Sequence, residues 1–337
     1  MITVAQQCCT DGDTRIGPVS PPPLVSIGMP AFNCEETLAV AIRSILSQTY
    51  SNWELLLMED GSSDRTPAVA TSFSDPRIRA FLGDSHRGIV PRLNQAVAMS
   101  RGEYFARMDA DDVAYPERLD RQVEYLRQHP EIDLLGSRML MFKGDGVAVG
   151  GRPAPETHEE ICCHPSNGFH FAHATWMGRT SWFRSHPYEP NVPRSEDQVL
   201  LLRSHATSHF ACLPEILYGC REDQLLLRKI LTGRFGFAKG VLNEFSTRRK
   251  YLTAAAALLK QLAKAHVDIF AVVTGLNYHV LAHRALPLHP ESLQRWAKVW
   301  AQIRDHGPRS EPLSAQPVGC GTGVHACARQ KSGHARS

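Results

Sequence analysis

Three aspartates, Asp109, Asp111 and Asp112, stand within four residues of the stretch EYFARMDADDVAYPERL, which spans residues 103–119. Carboxylates this close repel one another unless a positive charge lies between them. Alternate residues of an extended strand point to the same side, so Asp109 and Asp111 form an oxygen pair of the kind that Mg²⁺ or Mn²⁺ prefers. The spacing alone leaves two interpretations open: a divalent-metal site, or a surface turn with an N-cap aspartate before Pro116.

Strands and helices alternate around these aspartates from residue 24 onwards. The predicted strands are LVSIGMP, WELLLME, RIRAFLG and EYFARMD, and the predicted helices are residues 35–48, residues 88–100 and PERLDRQVEYLRQHP, with Pro116 at its first position. This alternation is typical of an α/β fold with a mostly parallel sheet, which binds ligands at the carboxyl ends of its strands. The polar clusters AFNCEE, EDGSSD and DADD follow the first, second and fourth strands. We therefore expect them to converge on one crevice; the alternative is that each is only a polar turn.

The second half of the chain is less regular. It predicts a glycine-rich loop or hairpin at KGDGVAVGGRPAPE, a strand entering a helix at HATWMGRTSWF, a helix at SEDQVLLLRS with Ser195 as N-cap, and a closing strand at FACLPEILYGCRED. We assign residues 24–225 to one α/β domain and residues 226–304 to a helical C-terminal region. Residues 1–23 are interpreted as a disordered leader and residues 305–337 as a disordered basic tail.

Charge is unevenly distributed along the chain. Residues 228–337 contain 17 basic and 5 acidic side chains, whereas residues 1–227 contain 20 basic and 29 acidic ones. The basic rear is interspersed with apolar residues, which suits either a solvated helical appendage or peripheral contact with an anionic membrane. Nucleic acid is not an expected partner, because no recognition module is visible.

The nine cysteines include no Cys-x-x-Cys pair, which argues against a zinc site. Their odd number, without an apolar secretory segment, indicates reduced thiols of the cytosol. No apolar run reaches the length of about 18 residues that a spanning helix needs.

Four blocks of the sequence resemble the family 2 glycosyltransferases, which have the Rossmann-like GT-A fold. They are VSIGMPAFNCEETLAVAIRSILSQTYSNWELLLMEDGSSDRT, RLNQAVAMSRGEYFARMDADD, ARMDADDVAYPERLDRQVEYLRQHPEIDLLGS and SEDQVLLLR, in the family's order over residues 24–223. The likeness is greatest to the bacterial polysaccharide and cell-wall branch. It implies an inverting transfer of a sugar from a nucleotide-sugar donor to a polysaccharide or lipid-linked acceptor.

The resemblance also implies roles for individual residues on the donor side. Asp60 would accept a hydrogen bond from the nucleobase, Arg87 would lie near the base or diphosphate, and Asp109 would contact the ribose or sugar. Asp111 would hold the metal, with Asp112 as a less certain second ligand. Four further residues would line the nucleotide pocket: Pro30, Ala31, Phe32 (where the family usually has tyrosine) and Glu35.

On the acceptor side, the resemblance makes Asp197 the candidate general base. Inverting transfer needs one carboxylate to deprotonate the acceptor hydroxyl as it attacks the anomeric carbon. Glu196 would support this group or contact the acceptor. The plain alternative is that both acidic residues only favour a helix N-terminus. His173, one of three histidines in HPSNGFHFAHATW, is the candidate for a phosphate or acceptor contact.

The sequence thus predicts a Mg²⁺- or Mn²⁺-dependent glycosyltransferase with a UDP- or dTDP-type donor. We expect it in the cytoplasm, at the cytoplasmic face of the inner membrane. Two other functions stay open. A sugar-phosphate nucleotidyltransferase would use a related sheet, but the glycine-rich N-terminal loop of those enzymes has no counterpart at Gly28. A non-catalytic nucleotide-sugar-binding protein would keep the pocket without turnover.

Overall fold

A mixed sheet of nine strands forms the centre of the part of the chain that the computed structural model describes, which is residues 21–192, 194–222, 227–247, 249, 251–274 and 286–305. The strands are β1 Val25–Ala31, β2 Trp53–Glu59, β3 Ile78–Phe81, β4 Tyr104–Arg107, β5 Val113–Ala114, β6 Leu134–Lys143, β7 Val147–Gly151, β8 Met177–Arg179 and β9 Phe210–Arg221. Their order is β3-β2-β1-β4-β8-β6-β9-β5, and β7 pairs with β6.

The first four strands form the predicted parallel half of the sheet. β1 pairs in parallel with β2 and β4, and β2 pairs in parallel with β3. Both faces of β2 are buried along its whole length, as in parallel sheets that helices cover on either side. β8, β7 and β5 add antiparallel pairs, so the sheet continues as a mixed one beyond β4.

Helices cover both faces of this sheet. In chain order they are α1 Leu38–Leu46, α2 Thr66–Thr71, α3 Ile89–Met99, α4 Arg118–Gln128, α5 His158–Ile161, α6 Thr180–Ser185, α7 Glu196–Ser204, α8 Leu227–Thr247, α9 Tyr251–Val273 and α10 Pro290–Asp305. Every strand and helix predicted between residues 24 and 222 is present. The predicted hairpin at KGDGVAVGGRPAPE is also present, as the turn between β6 and β7.

One helix start differs from the prediction. Helix α4 begins at Arg118 and not at Pro116, because the backbone first makes a turn in which the Arg118 N–H bonds the Tyr115 carbonyl (3.0 Å). Ser195 is the N-cap residue of α7, as predicted, but its hydroxyl does not bond the helix N-terminus. It donates instead to the Gly233 carbonyl of α8 (2.5 Å).

The C-terminal helices pack in two different ways. Helix α8 packs along α9 and α7, whereas α10 covers the other side of the sheet, at β5, β6 and β9. Trp296 of α10 is buried against Phe142 and Tyr115, and its indole N–H donates to the Gly146 carbonyl (2.6 Å). The α10 segment is therefore part of the domain core. The predicted leader up to residue 20 and the predicted tail beyond residue 305 lie outside the described residues.

We expect Trp296→Ala to lower the free energy of unfolding by about 3–5 kcal/mol, because it removes a large buried side chain and leaves a cavity on the sheet. The measurement is equilibrium urea unfolding followed by circular dichroism. Leu293→Ala, a large exposed side chain of the same helix, is the control and should cost less than about 1 kcal/mol. Equal losses in the two variants would contradict the packing of α10 as a core helix.

Candidate active site

The loops that follow β1, β2 and β4 lie against one another at the carboxyl edge of the parallel strands. The backbone N–H of Asn33 donates to the Ser62 hydroxyl (3.0 Å), which joins the first two loops. The hydroxyl of Thr37 donates to the Ala110 carbonyl (3.2 Å), which joins the first loop to the aspartate-rich third one. The three polar clusters therefore meet as the sequence predicts.

A cavity of about 450 Å³ lies between these loops, and we call it the first cavity. It is polar and open on one side, so it suits a charged ligand. Its lining residues are Pro30, Phe32, Asn33, Cys34, Glu35, Glu36, Thr37, Asp64, Asp109, Ala110, Asp111 and Arg221.

Of the seven residues predicted to contact the nucleotide sugar itself, four line the first cavity and three do not. Pro30, Phe32, Glu35 and Asp109 are among its lining residues. Ala31 is buried in β1, where its carbonyl accepts the Asp60 N–H (2.9 Å). Asp60 and Arg87 lie outside the lining of this cavity, in the loops next to it.

The carboxylate of Asp60 is fully engaged with protein donors. It accepts hydrogen bonds from the backbone N–H groups of Arg87 (3.0 Å) and Gly88 (2.8 Å) and from Nε of Arg92 (2.7 Å). Burial by itself raises the pKa of Asp60, but these bonds outweigh it and hold the pKa below its usual value. The exposed ring of His86 adds a fourth contact, with Nδ1 2.8 Å from Oδ2.

The ring of His86 also stacks on Phe32. The two ring centroids are 3.9 Å apart and the planes are inclined by 27°. His86 therefore occupies the position predicted for a nucleobase. Its ring stacks on Phe32, and its Nδ1 contacts Asp60, as a base ring and a base N–H would. Because His86 is more than half exposed, it is free to yield this position to a ligand.

The three aspartates form a tight acidic cluster. One oxygen from each of Asp109, Asp111 and Asp112 lies within 4.8 Å of the others. Asp111 is exposed towards the first cavity. Asp112 is buried, and its Oδ1 accepts the N–H of Arg221 (2.7 Å), while Oδ2 accepts no hydrogen bond of ordinary geometry from any residue that the structure describes.

Burial and the crowding of the carboxyl groups raise the pKa values of Asp111 and Asp112. Displacement of water by the neighbouring loops, followed by the charge of Asp109, raises the pKa of Asp111 to about 6. Burial and then the charges of Asp109 and Asp111 raise the pKa of Asp112 well above its usual value. A divalent cation would offset this repulsion, and three clustered carboxyl groups with one buried, unsatisfied oxygen fit Mg²⁺ or Mn²⁺.

A second cavity, of about 790 Å³, contains the candidate base. Asp197 lies in the first turn of α7 and lines this cavity with His173, while Arg152, Arg234 and Lys264 are its basic lining residues. Burial raises the pKa of Asp197, although the side chain of Gln198 donates to Oδ2 (3.1 Å) and acts in the opposite direction. A carboxylate with a raised pKa is a stronger base than an exposed one.

Glu196 and His173 lie beside this base. The ring Nδ1 of His173 is 4.0 Å from the Glu196 carboxylate, and Nε2 is 2.9 Å from the Tyr188 hydroxyl. Burial, followed by the charge of Arg107, lowers the pKa of His173 far enough to keep the ring neutral. Burial and the charge of Asp197 raise the pKa of Glu196 to about 7.

Arg107 is the main functional candidate that the sequence predictions omit. Its guanidinium is buried, and it pairs with Asp109 at 2.5 Å. Its positive charge also opposes the rise in pKa that burial causes at Glu196 and Asp197. Arg107 therefore acts on carboxylates at both cavities. The signal was available in EYFARMD, because a charged residue inside an otherwise apolar strand needs a partner.

Comparison with known proteins gives a consistent result. A family model described as "Glycosyl transferase family 2" matches residues 26–186. The chain is 37% identical over 208 residues to EpsE of Bacillus subtilis (strain 168), whose name describes a glycosyltransferase; the match covers 60% of this chain and 74% of EpsE. It is 39% identical over 138 residues to the UDP-Glc:alpha-D-GlcNAc-diphosphoundecaprenol beta-1,3-glucosyltransferase WfgD of Escherichia coli, covering 41% of this chain and 54% of WfgD.

Solved structures share the fold. TarS 1–349 of S. aureus in complex with UDP-GlcNAc superposes with a TM-score of 0.56 at 16% identity, covering 83% of this chain and 81% of that one. The mannosyltransferase PcManGT of Pyrobaculum calidifontis, in complex with GDP-Man and Mn²⁺, gives a TM-score of 0.50 at 14% identity and covers 84% of this chain and 85% of its own.

We expect Mn²⁺ together with UDP to raise the thermal midpoint of the protein by about 3 °C or more, because a ligand that binds only the folded state stabilises it. Asp111→Asn should abolish the shift, since it removes the exposed carboxylate of the acidic cluster. The measurement is differential scanning fluorimetry with each component alone and with both together. Asp84→Asn, an exposed carboxylate in the loop after β3, is the control and should keep the full shift. A full shift in Asp111→Asn would exclude that residue as a ligand.

Proposed function

The chain belongs to glycosyl transferase family 2, and from this premise we propose that it is an inverting, metal-dependent glycosyltransferase with Asp197 as its general base. The geometry that supports this proposal best is the presence of two cavities, one with clustered carboxylates and one with a buried carboxylate. The charge of Arg107 acts on carboxylates of both: it pairs with Asp109 at the first cavity and stabilises the ionised forms of Glu196 and Asp197 at the second. Family membership favours transfer over the nucleotidyltransferase and sensor alternatives.

In this proposal the first cavity holds the nucleotide sugar. Phe32 supplies a flat face for the base, and Asp60 accepts a base N–H once His86 has moved away. Asp109 contacts the ribose or sugar, and Arg221, at the cavity wall, supplies positive charge for the diphosphate. A uracil or thymine base suits the carboxylate of Asp60, because each offers one ring N–H between two carbonyl groups.

Asp111 and Asp112 would hold Mg²⁺ or Mn²⁺. When bound, the cation stabilises the negative charge of the departing nucleoside diphosphate. The chain itself keeps Asp109 fixed through Arg107, and it keeps the Arg221 backbone fixed through Asp112.

The transfer step follows from the position of Asp197. Its carboxylate takes the proton from the acceptor hydroxyl, whose oxygen forms a bond to the anomeric carbon from the side opposite the diphosphate. The bond from that carbon to the diphosphate oxygen breaks, and the nucleoside diphosphate leaves with the electron pair. Gln198 orients the base by donating to its Oδ2, and neutral His173 offers a hydrogen-bonding ring in the same cavity.

The second cavity would hold the acceptor, a glycan or a lipid-linked sugar. Its wall combines aromatic and apolar side chains with basic ones, which suits a sugar that carries a phosphate group. We place the reaction in the cytoplasm, at the cytoplasmic face of the inner membrane, because relatives such as WcaA of Escherichia coli (strain K12) and ExoO of Rhizobium meliloti are named for polysaccharide biosynthesis.

We expect Asp197→Asn to lower kcat by about 10²–10⁴-fold, because the amide keeps the shape of the side chain but no longer accepts a proton. Donor affinity, measured by calorimetry with the nucleotide sugar and Mn²⁺, should stay near that of the wild type. Glu215→Gln, which removes an exposed carboxylate paired with Arg121 on the surface, is the control for a neutralised charge. Normal turnover of Asp197→Asn would disprove its role as the base.

We also expect activity to fall with decreasing pH at a higher pH than an ordinary aspartate would give. The base acts when it is deprotonated, and burial raises the pKa of Asp197. In Gln198→Leu the bond that lowers this pKa is lost, so the acid limb should move to higher pH by up to about one unit.

The check is the pH dependence of kcat/KM for both proteins. Burial and the charge of Asp197 raise the pKa of Glu196 to about 7, so the two carboxylates titrate in overlapping pH ranges. The wild type and Gln198→Leu should therefore also be compared in a Glu196→Gln background. If Gln198→Leu leaves the acid limb of kcat/KM in place, or moves it to lower pH, in both backgrounds, Asp197 is not the group that titrates there.

A further inference from the structure

Helix α9 buries its small residues and exposes its large ones. The residues that it turns towards the rest of the domain are Ala254, Ala257, Gln261, Asp268 and Ala271. Its large apolar side chains are exposed: Leu252 is 89% exposed, Val273 is 78% exposed, and Leu259, Leu262, Val267 and Phe270 are each more than half exposed. This is the reverse of an ordinary surface helix, which buries its large apolar face.

The exposed side chains form one continuous surface. At about 100° per residue, the exposed apolar positions 252, 259, 262, 267, 270 and 273 fall within an arc of about 140°, so they lie on one side of the helix. At about 1.5 Å per residue, this face is about 32 Å long. We call it the α9 stripe. No other described residue covers it, and exposed apolar surface of this extent marks an interaction site.

The composition of the segment that contains α8 and α9 indicates the kind of partner. Residues 227–274 contain nine basic and two acidic side chains, and two of the basic ones, Lys260 and Lys264, belong to α9 itself. One of the two acidic groups, Asp268, is buried and paired with Arg234 of α8 at 2.5 Å. Lys260 and Lys264 follow one border of the stripe by helical periodicity. Exposed apolar residues bordered by lysines are typical of helices that lie in the headgroup region of a membrane.

We propose that the α9 stripe binds the surface of an anionic lipid bilayer, with the helix lying in the plane of the membrane. Among the described helices none is long and apolar enough to cross a bilayer, which fits a helix that lies on the surface. The occupant is a lipid surface and not a folded protein partner, because Lys260 and Lys264 at the border of the stripe, together with seven basic residues that precede α9 between positions 227 and 250, complement anionic headgroups.

This inference rests on the proposed function, and it deepens the description of the acceptor cavity. Arg234 and Lys264 come from the same two helices and line the second cavity, where the Lys264 ammonium donates to the Asn167 carbonyl (3.2 Å). A bilayer that meets the α9 stripe therefore lies next to the cavity that contains Asp197. A lipid-linked acceptor could enter this cavity while its lipid stays in the membrane.

The test is co-sedimentation of the full chain with vesicles, without nucleotide or metal. We expect binding to phosphatidylcholine vesicles that contain phosphatidylglycerol, and little binding to pure phosphatidylcholine vesicles. The double variant Leu259→Glu/Phe270→Glu should bind the anionic vesicles at least about tenfold more weakly, because it places charge on the apolar face. Lys260→Glu should weaken binding to the anionic vesicles and leave the pure phosphatidylcholine result unchanged.

The matched control is Leu82→Glu, which places a glutamate at an exposed leucine away from α9 and should leave vesicle binding unchanged. Circular dichroism and the thermal shift with UDP and Mn²⁺ should be the same in all variants, so a loss of vesicle binding is separated from a loss of fold or donor binding. Equal binding of the double variant and the wild type would overturn the proposal. So would a wild-type dimer that ignores vesicles and becomes monomeric in the double variant, since the stripe would then bind a second copy.

Discussion

The candidate site depends on one buried positive charge. The guanidinium of Arg107 pairs with Asp109, and its charge lowers the pKa of Asp111, Glu196 and Asp197. Burying one ionised carboxylate costs desolvation free energy, and burying several next to one another also adds their repulsion. A neighbouring positive charge is needed to offset both costs. Burial, followed by the repulsion between neighbouring carboxylates, outweighs this one guanidinium, so the pKa values of Asp111, Asp112 and Glu196 stay above their usual values. The site therefore has an excess of negative charge, which a cation would relieve.

A second buried arginine positions the first. Arg118 opens α4, is completely buried, and donates to the carbonyls of Arg107 (2.7 Å) and Ala174 (3.2 Å). Gln122, one turn further along, accepts from the Arg118 guanidinium and donates to the Thr175 carbonyl (2.8 Å). Helix α4 thus ties β4, which carries Arg107, to the short 3-10 helix His173–Thr175 that begins with His173. These hydrogen bonds connect the strand that leads to Asp109 in the first cavity with His173 in the second cavity.

The sequence was informative where a local pattern decides the structure. Parallel strands are short apolar runs, and their carboxyl ends must meet at one edge, so the grouping of the three polar loops follows from the order of the elements. Partners that come from distant parts of the chain were not predictable in this way. The contacts of Asp60 with Arg92 and His86, and the role of Arg118, depend on which polar groups become buried together. Helix α9 shows the same limit, because its periodicity predicts a helix but not which face the domain covers.

The C-terminal helix α10 is connected to the first cavity through Arg221. This residue ends β9 and lines the first cavity, and its guanidinium lies 4.7 Å from the ring centroid of Phe142 and 6.0 Å from that of Trp300 in α10. Its Nε donates to the Asp111 carbonyl (3.0 Å), and Asp112 holds its backbone N–H. The aspartate cluster and the aromatic face of α10 therefore hold the same cation from two sides. A helix that sequence composition assigns to a separate region therefore supports Arg221 at the wall of the first cavity, and loosening this helix would move a positive charge as well as reduce stability.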